Sequence, residues 1–384
     1  MKENDRKGIS KRVLFVTVYP SPYRVDFFNE LGKKPGIDLS VVFLERPDEQ
    51  KHRSNAWFRE DYTYFRAIFP TKRINLPRGG FLCPELITLL REKYDEIIFG
   101  GYSDAAIPPA MAYLKLRKVP YSIEIDGGLI SEERWFKYWI KHCLLSSADK
   151  WYSSGAYSDR YLIHYGADPE RIFHYPFTSL RKKDLDIDLD HFQFEERKKT
   201  LRKDLGISEV KAILAVGQFV SRKGFDILLQ AALKLDQSVG IYIVGGEAPK
   251  DWIDFCNNHR LKNVHFMGFM SHEKLWKYYK ASDLFVFPTR IDIWGLVINE
   301  AIANGLPVIT TEKCVAGHEL VEEGKNGFLV PVNDANALAD AINRAFSMDL
   351  YEMRKHSLRT ARVYTIENMA DTHFQVLSNY WTKE

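Results

Sequence analysis

Short apolar runs recur along this chain between longer segments of helical periodicity. Runs that are hydrophobic throughout, rather than alternating, are strands covered on both faces by crossover helices. The pattern therefore predicts α/β units wound on parallel sheets. In the first half the runs fall at residues 13–18, 39–43, 96–99, 121–125 and 150–153, with helices at 22–31 and 104–116 among the segments between them. In the second half they fall at 212–216, 240–244, 264–267, 284–287, 308–310 and 328–330. With 384 residues, 45% of them apolar, the chain exceeds one core of ordinary size. Two doubly wound, Rossmann-like domains are expected, at 1–180 and 204–365. A linker is expected at 181–203, where basic clusters and alternating Asp residues replace apolar periodicity. A last helix, 366–384, is expected to pack back on the first domain. Within the linker, Asp184, Asp186, Asp188 and Asp190 alternate with Leu185, Ile187 and Leu189, as in a solvated edge segment rather than a metal-binding Asp-x-Asp.

Several function classes are excluded. Lys and Arg number 54 against 51 Asp and Glu, a formal charge of +3, so no global field draws nucleic acid. The charged start, residues 1–7, lacks the apolar run of a secretory signal, and no stretch approaches the ~20 apolar residues of a membrane span. A cytoplasmic protein is expected, free or peripheral at the inner face of the plasma membrane. Cys83, Cys143, Cys256 and Cys314 lack Cys-x-x-Cys spacing and read as reduced structural residues.

The strongest motif is Pro288-Thr289-Arg290-Ile291-Asp292-Ile293-Trp294-Gly295-Leu296-Val297-Ile298-Asn299-Glu300-Ala301, which leaves a strand and enters a helix. In a parallel sheet this lies at the carboxyl edge, where ligands bind. Gly295 permits close backbone approach, and N–H groups from Gly295 to Ile298 can face an anion such as a diphosphate. Asp292 lies in the loop and Glu300 about two turns into the helix, so one carboxylate can meet a sugar and the other a ribose. Otherwise Asp292 caps the helix and Glu300 is solvated. A second strand-loop-helix, residues 216–229, sets Arg222 and Lys223 at a helix start, which disfavours cations unless an anion is shared. They are either ligands of a leaving diphosphate or simply exposed cations.

These residues resemble retaining glycosyltransferases of family 4 (glycosyl transferases group 1), which have the GT-B fold: two Rossmann-like domains with an interdomain cleft. The resemblance covers nearly all of the second half, through residues 217–231, Gly245-Gly246, 264–268, 283–288, 292–307 and 326–330. It implies that Lys223, with Arg222, neutralises the donor phosphates and that Glu300 holds the ribose. Gly268 and Phe269 would flank the base. Trp294, Gly295, Leu296 and Val297 would line the donor, and no metal or other cofactor is needed. Asp292 stands where the family usually carries Glu, and would contact the transferred sugar with shorter reach. Gln218 stands where many members carry Arg, which removes a phosphate cation that Arg222 would replace.

The first half resembles the family less densely. Residues 118–128 have the strand-to-loop form of its active-site segment, with Asp126 where many members place His. Asp126 would stabilise a cationic transition state or orient the incoming hydroxyl, or else cap the following helix. With Lys223 and Asp292 it completes the expected catalytic set. Tyr23 and Arg24, after the first strand, and Tyr102, after another, are the acceptor-side candidates, against a reading as ordinary turn chemistry. Residues 134–145, with Arg134, Lys137 and Lys141 among aromatics, suit either an interfacial helix on an anionic membrane or a core helix with a basic edge. The expected function is transfer of a sugar from a nucleotide-sugar, a UDP-sugar, to a glycan or lipid-linked acceptor in bacterial surface polysaccharide synthesis. A non-catalytic sugar-nucleotide-binding protein and a GT-B epimerase are the alternatives.

Overall fold

The computed structural model describes residues 10–46, 61–77, 79–186 and 190–381. The chain forms two units, Met1–Ser179 with Thr365–Glu384, and Leu180–Tyr364. The charged start read from residues 1–7, the alternating Ile187, Asp188 and Leu189, and residues 382–384 lie outside the described residues.

In the first unit the elements run β1 (Lys11–Thr17), α1 (Pro22–Gly32), β2 (Ile37–Phe43), β3 (Arg66–Ile68), β4 (Ile74–Asn75), β5 (Phe81–Leu82) and α2 (Pro84–Leu89). They continue as β6 (Glu96–Gly100), α3 (Ile107–Leu116), β7 (Ser122–Ile125), α4 (Trp135–Leu145), β8 (Lys150–Ser153), α5 (Ala156–His164) and β9 (Ile172–His174). The sheet has the order β3-β2-β1-β6-β7-β8-β9, with parallel pairs throughout. β4 and β5 form a small antiparallel ladder apart from it. Both faces of β1 are covered: Leu14 and Val16 join a core with Phe99, Ile107, Met111 and Ile123, while Phe15 packs on Phe27 and Phe28 of α1. The winding starts at β1, runs outward to β3, and resumes on the other side at β6, so the switch point lies between β1 and β6.

The second unit contains α6 (His191–Leu205), β10 (Lys211–Val216), α7 (Phe225–Ala232), β11 (Val239–Val244), α8 (Lys250–Asn258), β12 (Val264–Met267), α9 (His272–Ala281) and β13 (Leu284–Phe287). It continues with α10 (Leu296–Ala303), β14 (Val308–Thr311), α11 (Val315–Leu320), β15 (Gly327–Val330), α12 (Ala335–Phe346) and α13 (Leu350–Val363). Its parallel sheet is ordered β12-β11-β10-β13-β14-β15, with the switch point between β10 and β13. The doubly wound α/β class expected from the apolar runs is the class observed in both units.

Two features differ from the sequence reading, and at α4 one of two alternatives falls away. Residues 191–203, assigned to a linker, belong to α6 within the second unit. Among its described residues this helix buries no side chain, and charge holds it instead. Arg197 donates twice to Asp186, at 2.8 and 2.5 Å, while Lys198 and Arg202 grip Asp283. Periodicity of apolar residues could not reveal a helix anchored this way.

Asp186 itself is no solvated edge residue. Its side chain is 1% exposed and also meets Arg354 at 2.9 Å and Lys280 at 3.4 Å. Burial pushes its carboxyl up, but Arg197, Lys280 and Arg354 outweigh that and hold it below its ordinary value. Asp184 and Asp190 act locally, accepting from the amides of Arg181 and Gln193.

At α4 it is the core helix that falls away. Only Leu145 is buried in it, while Trp135, Trp139 and Ile140 are at least half exposed. The last helix, α14 (Ile366–Trp381), belongs to the first unit. It packs on α1, with Ile366, Met369, Ala370 and Leu377 fully buried, and Lys34 pairs with Asp371.

Candidate active site

In the second unit, the loops leaving β10 and β13 meet at the switch point of the sheet. After β10 the chain makes a 3-10 turn at Ser221–Lys223 and enters α7 through Gly224, at φ 68°. A Cβ at Gly224 would lie 2.0 Å from the carbonyl oxygen of Pro288, so glycine is what lets the two loops touch. They are then stitched together. The Arg290 amide and the Thr289 hydroxyl both donate to the Arg222 carbonyl, at 2.7 and 2.9 Å. The Arg290 guanidinium donates twice to Asp226, at 2.9 and 2.5 Å, and once to Asn333 at 2.7 Å.

This stitching brings Lys223, Arg222 and Asp292 together. Lys223 Nζ lies 2.5 Å from Asp292 Oδ2 and over the ring of Phe287, and Arg222 Nη1 lies 3.3 Å from the same oxygen. Lys223 and Asp292 are mostly covered, at 11% and 15% side-chain exposure, whereas Arg222 is open at 49%. The Asp292 amide donates to Lys313, and its carbonyl accepts from Val315, so its backbone is anchored to the chain that follows β14.

Gly295, at φ 102°, begins α10, and a Cβ there would fall 2.8 Å from Cys314 Sγ. The amides of Leu296 and Val297 precede the intrahelical ladder and point along the dipole. The expected set of anion-facing amides shortens by one, because the Ile298 amide donates to the Gly295 carbonyl at 2.9 Å. Trp294 also departs from its expected donor contact. Its ring is buried, at 4% exposure, and its indole donates to Asn299 at 2.7 Å, so it braces the loop from within.

Glu300 sits on the first turns of α10 with part of its surface exposed, and accepts from the Tyr279 hydroxyl at 2.8 Å. Removal from bulk water pushes its carboxyl up to about 7, against the lowering by Tyr279. Gln218 stands exposed after β10. Gly268 and Phe269 follow β12 at the same sheet edge, two strands from β10, with the Phe269 ring 88% exposed. No contact places Gln218, Gly268 or Phe269 against Lys223; they share its edge.

The first unit builds a second polar centre. Asp126 follows β7 with its side chain 32% exposed, and accepts from Arg24 at 2.7 Å and from the Tyr175 hydroxyl at 3.1 Å. It caps no helix, since the next one begins at Trp135 behind Arg134. Burial, opposed by Arg24 and assisted by the Glu124 charge, raises the Asp126 carboxyl above its ordinary value. Arg24 is not an open acceptor contact. It is 5% exposed and held by Glu124 and Asp126 together. Tyr23 packs edge-on against Phe177, and burial, with Asp126 nearby, pushes its hydroxyl up to about 12. Tyr102 is engaged elsewhere, in a hydroxyl pair with Tyr161.

Sequence reasoning missed Glu124, His373, Tyr175, Tyr279 and Arg290. One signal was available: Glu124 is a charge inside a strand buried on both faces, which demands a buried partner. Among the described residues no group of three or more His, Cys, Asp or Glu is placed to hold a metal.

Residues 197–363, from within α6 to the end of α13, match the family model described as glycosyl transferases group 1. A protein of Klebsiella pneumoniae described as an uncharacterized 41.2 kDa protein in the cps region is 26% identical over 363 residues, 92% of this chain and 95% of its own length. A D-inositol 3-phosphate glycosyltransferase of Corynebacterium urealyticum is 33% identical over 192 residues, 46% of this chain. That match spans 45% of the relative, and an alpha-D-kanosaminyltransferase of Streptomyces kanamyceticus is likewise matched over 44% of its length. The crystal structure of Anabaena HepE with UDP and glucose superposes with a TM-score of 0.71 at 17% identity, covering 96% of this chain and 100% of that one. The shared fold is GT-B.

Proposed function

We propose that this chain is a metal-independent, retaining glycosyltransferase of family 4, of hexosyltransferase type, using a UDP-sugar to extend a glycan or lipid-linked acceptor of a bacterial surface polysaccharide. The observation that carries this reading is the meeting of two glycine-dependent loops at the switch point of the second unit. Lys223, Arg222 and the start of α10 there present positive charge to one small volume. The cps-region relative supports the pathway, and the UDP held by HepE supports the donor.

In this reading the donor diphosphate replaces Asp292 as the partner of Lys223, and the released Asp292 carboxylate accepts hydroxyls of the sugar. Glu300 accepts from the ribose diol. The bond from the anomeric carbon to the diphosphate oxygen breaks with its electron pair on the diphosphate, whose charge Lys223, Arg222 and the Leu296 and Val297 amides stabilise. The acceptor oxygen bonds that carbon on the same face, with Asp126 orienting its hydroxyl and the hydroxyl proton passing to the departing diphosphate oxygen. Thermal stabilisation across a panel of nucleotide sugars, with and without chelator, tests the donor and the metal independence together. Stabilisation by none of them, or only with a divalent ion, sinks the reading.

The exposed aromatic face of α4 supports an anionic membrane surface as a further partner. Trp135 and Trp139 are 80% and 61% exposed beside the exposed cations Arg134 and Lys137. Lys141 takes no part, since Glu133 at 2.8 Å and Tyr165 at 3.2 Å hold its ammonium. Among the described residues no helix is long and apolar enough to cross a membrane. Flotation with anionic vesicles tests the surface. Wild-type protein that stays unbound ends the idea.

A further inference from the structure

Residue 373 lies 249 positions after Glu124, yet their side chains meet in the interior of the first unit, both fully buried. His373 Nε2 is 2.7 Å from Glu124 Oε2, and Nδ1 is 2.8 Å from the Met369 carbonyl oxygen. A carbonyl only accepts, and so does an ionised carboxylate. With Glu124 ionised, both ring nitrogens face acceptors, an arrangement that only an imidazolium satisfies. Its surroundings suit a cation: Tyr152 stacks on it at 4.7 Å, and Phe27 and Tyr175 stand edge-on at 4.8 and 4.9 Å.

The charges around Asp126 then balance. Arg24 and His373 supply two positive charges, Glu124 and Asp126 two negative ones. Without His373, one guanidinium would face two carboxylates, one of them fully buried, and one of the two would take up a proton more readily. Asp126 would be that one, because Glu124 is the deeper and the more strongly paired. The opposite directions of the two carboxyls agree: burial raises both, yet Arg24 and His373 bring Glu124 below its ordinary value while Asp126 stays above.

We propose that His373 is a positioning residue for Asp126, a buried imidazolium delivered by α14 that neutralises Glu124 so that Arg24 can hold Asp126 ionised. Among the described residues, Tyr23 on α1 and Tyr175 after β9 also face this cluster, with hydroxyls that burial keeps protonated, and Tyr152 on β8 stacks on the ring. The role of Asp126 in transfer rests on the glycosyltransferase reading; the charge balance does not.

The test uses the full chain. In wild-type protein, nitrogen NMR of labelled imidazole should show both His373 nitrogens protonated at pH 7.5; one bare nitrogen overturns the proposal even if no variant folds. In His373→Gln, the Asp126 carboxyl, followed by carbon NMR and assigned through Asp126→Asn, should ionise at least about one pH unit higher. The acid limb of turnover should move with it, about tenfold in ionised fraction. Adding Glu124→Gln removes the surplus carboxylate and should return both readouts toward wild type. A role in packing alone makes the double variant worse than the single. That result, or no shift in the single, overturns the proposal. Nucleotide-sugar affinity, measured by calorimetry, should stay unchanged in both variants. If wild type binds and transfers nothing, the glycosyltransferase reading fails while the NMR readouts still decide His373.

Discussion

The Lys223 ammonium and the Asp292 carboxylate lie 2.5 Å apart across two loops, 69 positions apart in the chain, and both are mostly shielded from solvent. A diphosphate arriving at Lys223 must compete with an internal carboxylate. Removing that competitor should strengthen diphosphate binding even as it removes a contact to the sugar. Asp292→Asn is expected to bind a nucleoside diphosphate several-fold tighter, by calorimetry, while transfer drops by about a hundredfold or more. Weaker diphosphate binding in this variant argues against Lys223 as the phosphate ligand.

Arg290 joins the two loops from behind, through Asp226, Asn333 and its own amide. Arg290→Ala should lower stability by roughly 1–3 kcal/mol, because charge-assisted bonds are lost and Asp226 is left with one partner fewer. Arg222 and Lys223 would then be less ordered, so the donor KM should rise more than kcat falls. Denaturant titration and steady-state kinetics read the two effects, and an unchanged KM rules out the positioning role.

Glu300 should impose a pH dependence on both folding and donor binding. Its carboxyl is raised to about 7 in the fold, from 4.5, so the folded state binds more protons than the unfolded state between those values. Its contribution is least unfavourable below about pH 4.5, and grows more unfavourable as pH rises toward 7. Glu300→Gln should therefore gain stability over wild type across that window, by up to about 3 kcal/mol above pH 7. Donor binding runs the other way: the ribose hydroxyls need the ionised form, so affinity should fall as pH drops below 7. A difference in Tm between wild type and Glu300→Gln that stays flat from pH 4.5 to 8 would refute the assignment.

Gly295 allows the sharp entry to α10 only because it lacks a side chain. Gly295→Ala forces a Cβ to 2.8 Å from Cys314 Sγ at φ 102°. A loss of roughly 1–3 kcal/mol in stability is expected, with donor binding weakened further because the Leu296 and Val297 amides are displaced. Cys314→Ala relieves the clash but not the strain, so it should restore only part of both. Full restoration would mean that the backbone conformation is unimportant.

The apolar runs determined the fold class, since strands covered on both faces must be hydrophobic throughout. They also located the two loops around Lys223 and Gly295, because a strand, a glycine-bearing loop and a helix are consecutive in the chain. The bonding of those loops to each other was not legible. Arg290 reads as one more surface cation until the fold sets Asp226 and Asn333 around it.

Charge was the least legible part, because the chain does not say which charges will meet. Asp186 looked like one of several alternating carboxylates, and only the approach of Arg197, Lys280 and Arg354 from three helices makes it a buried anchor. Arg24 looked open to a ligand, but the fold encloses it between two carboxylates. Periodicity and loop chemistry act over neighbouring residues and are written in order along the chain. The pairing of buried charges acts at about 3 Å between residues that only tertiary structure brings together. His373 and Glu124, 249 positions apart in the chain, show that difference most directly.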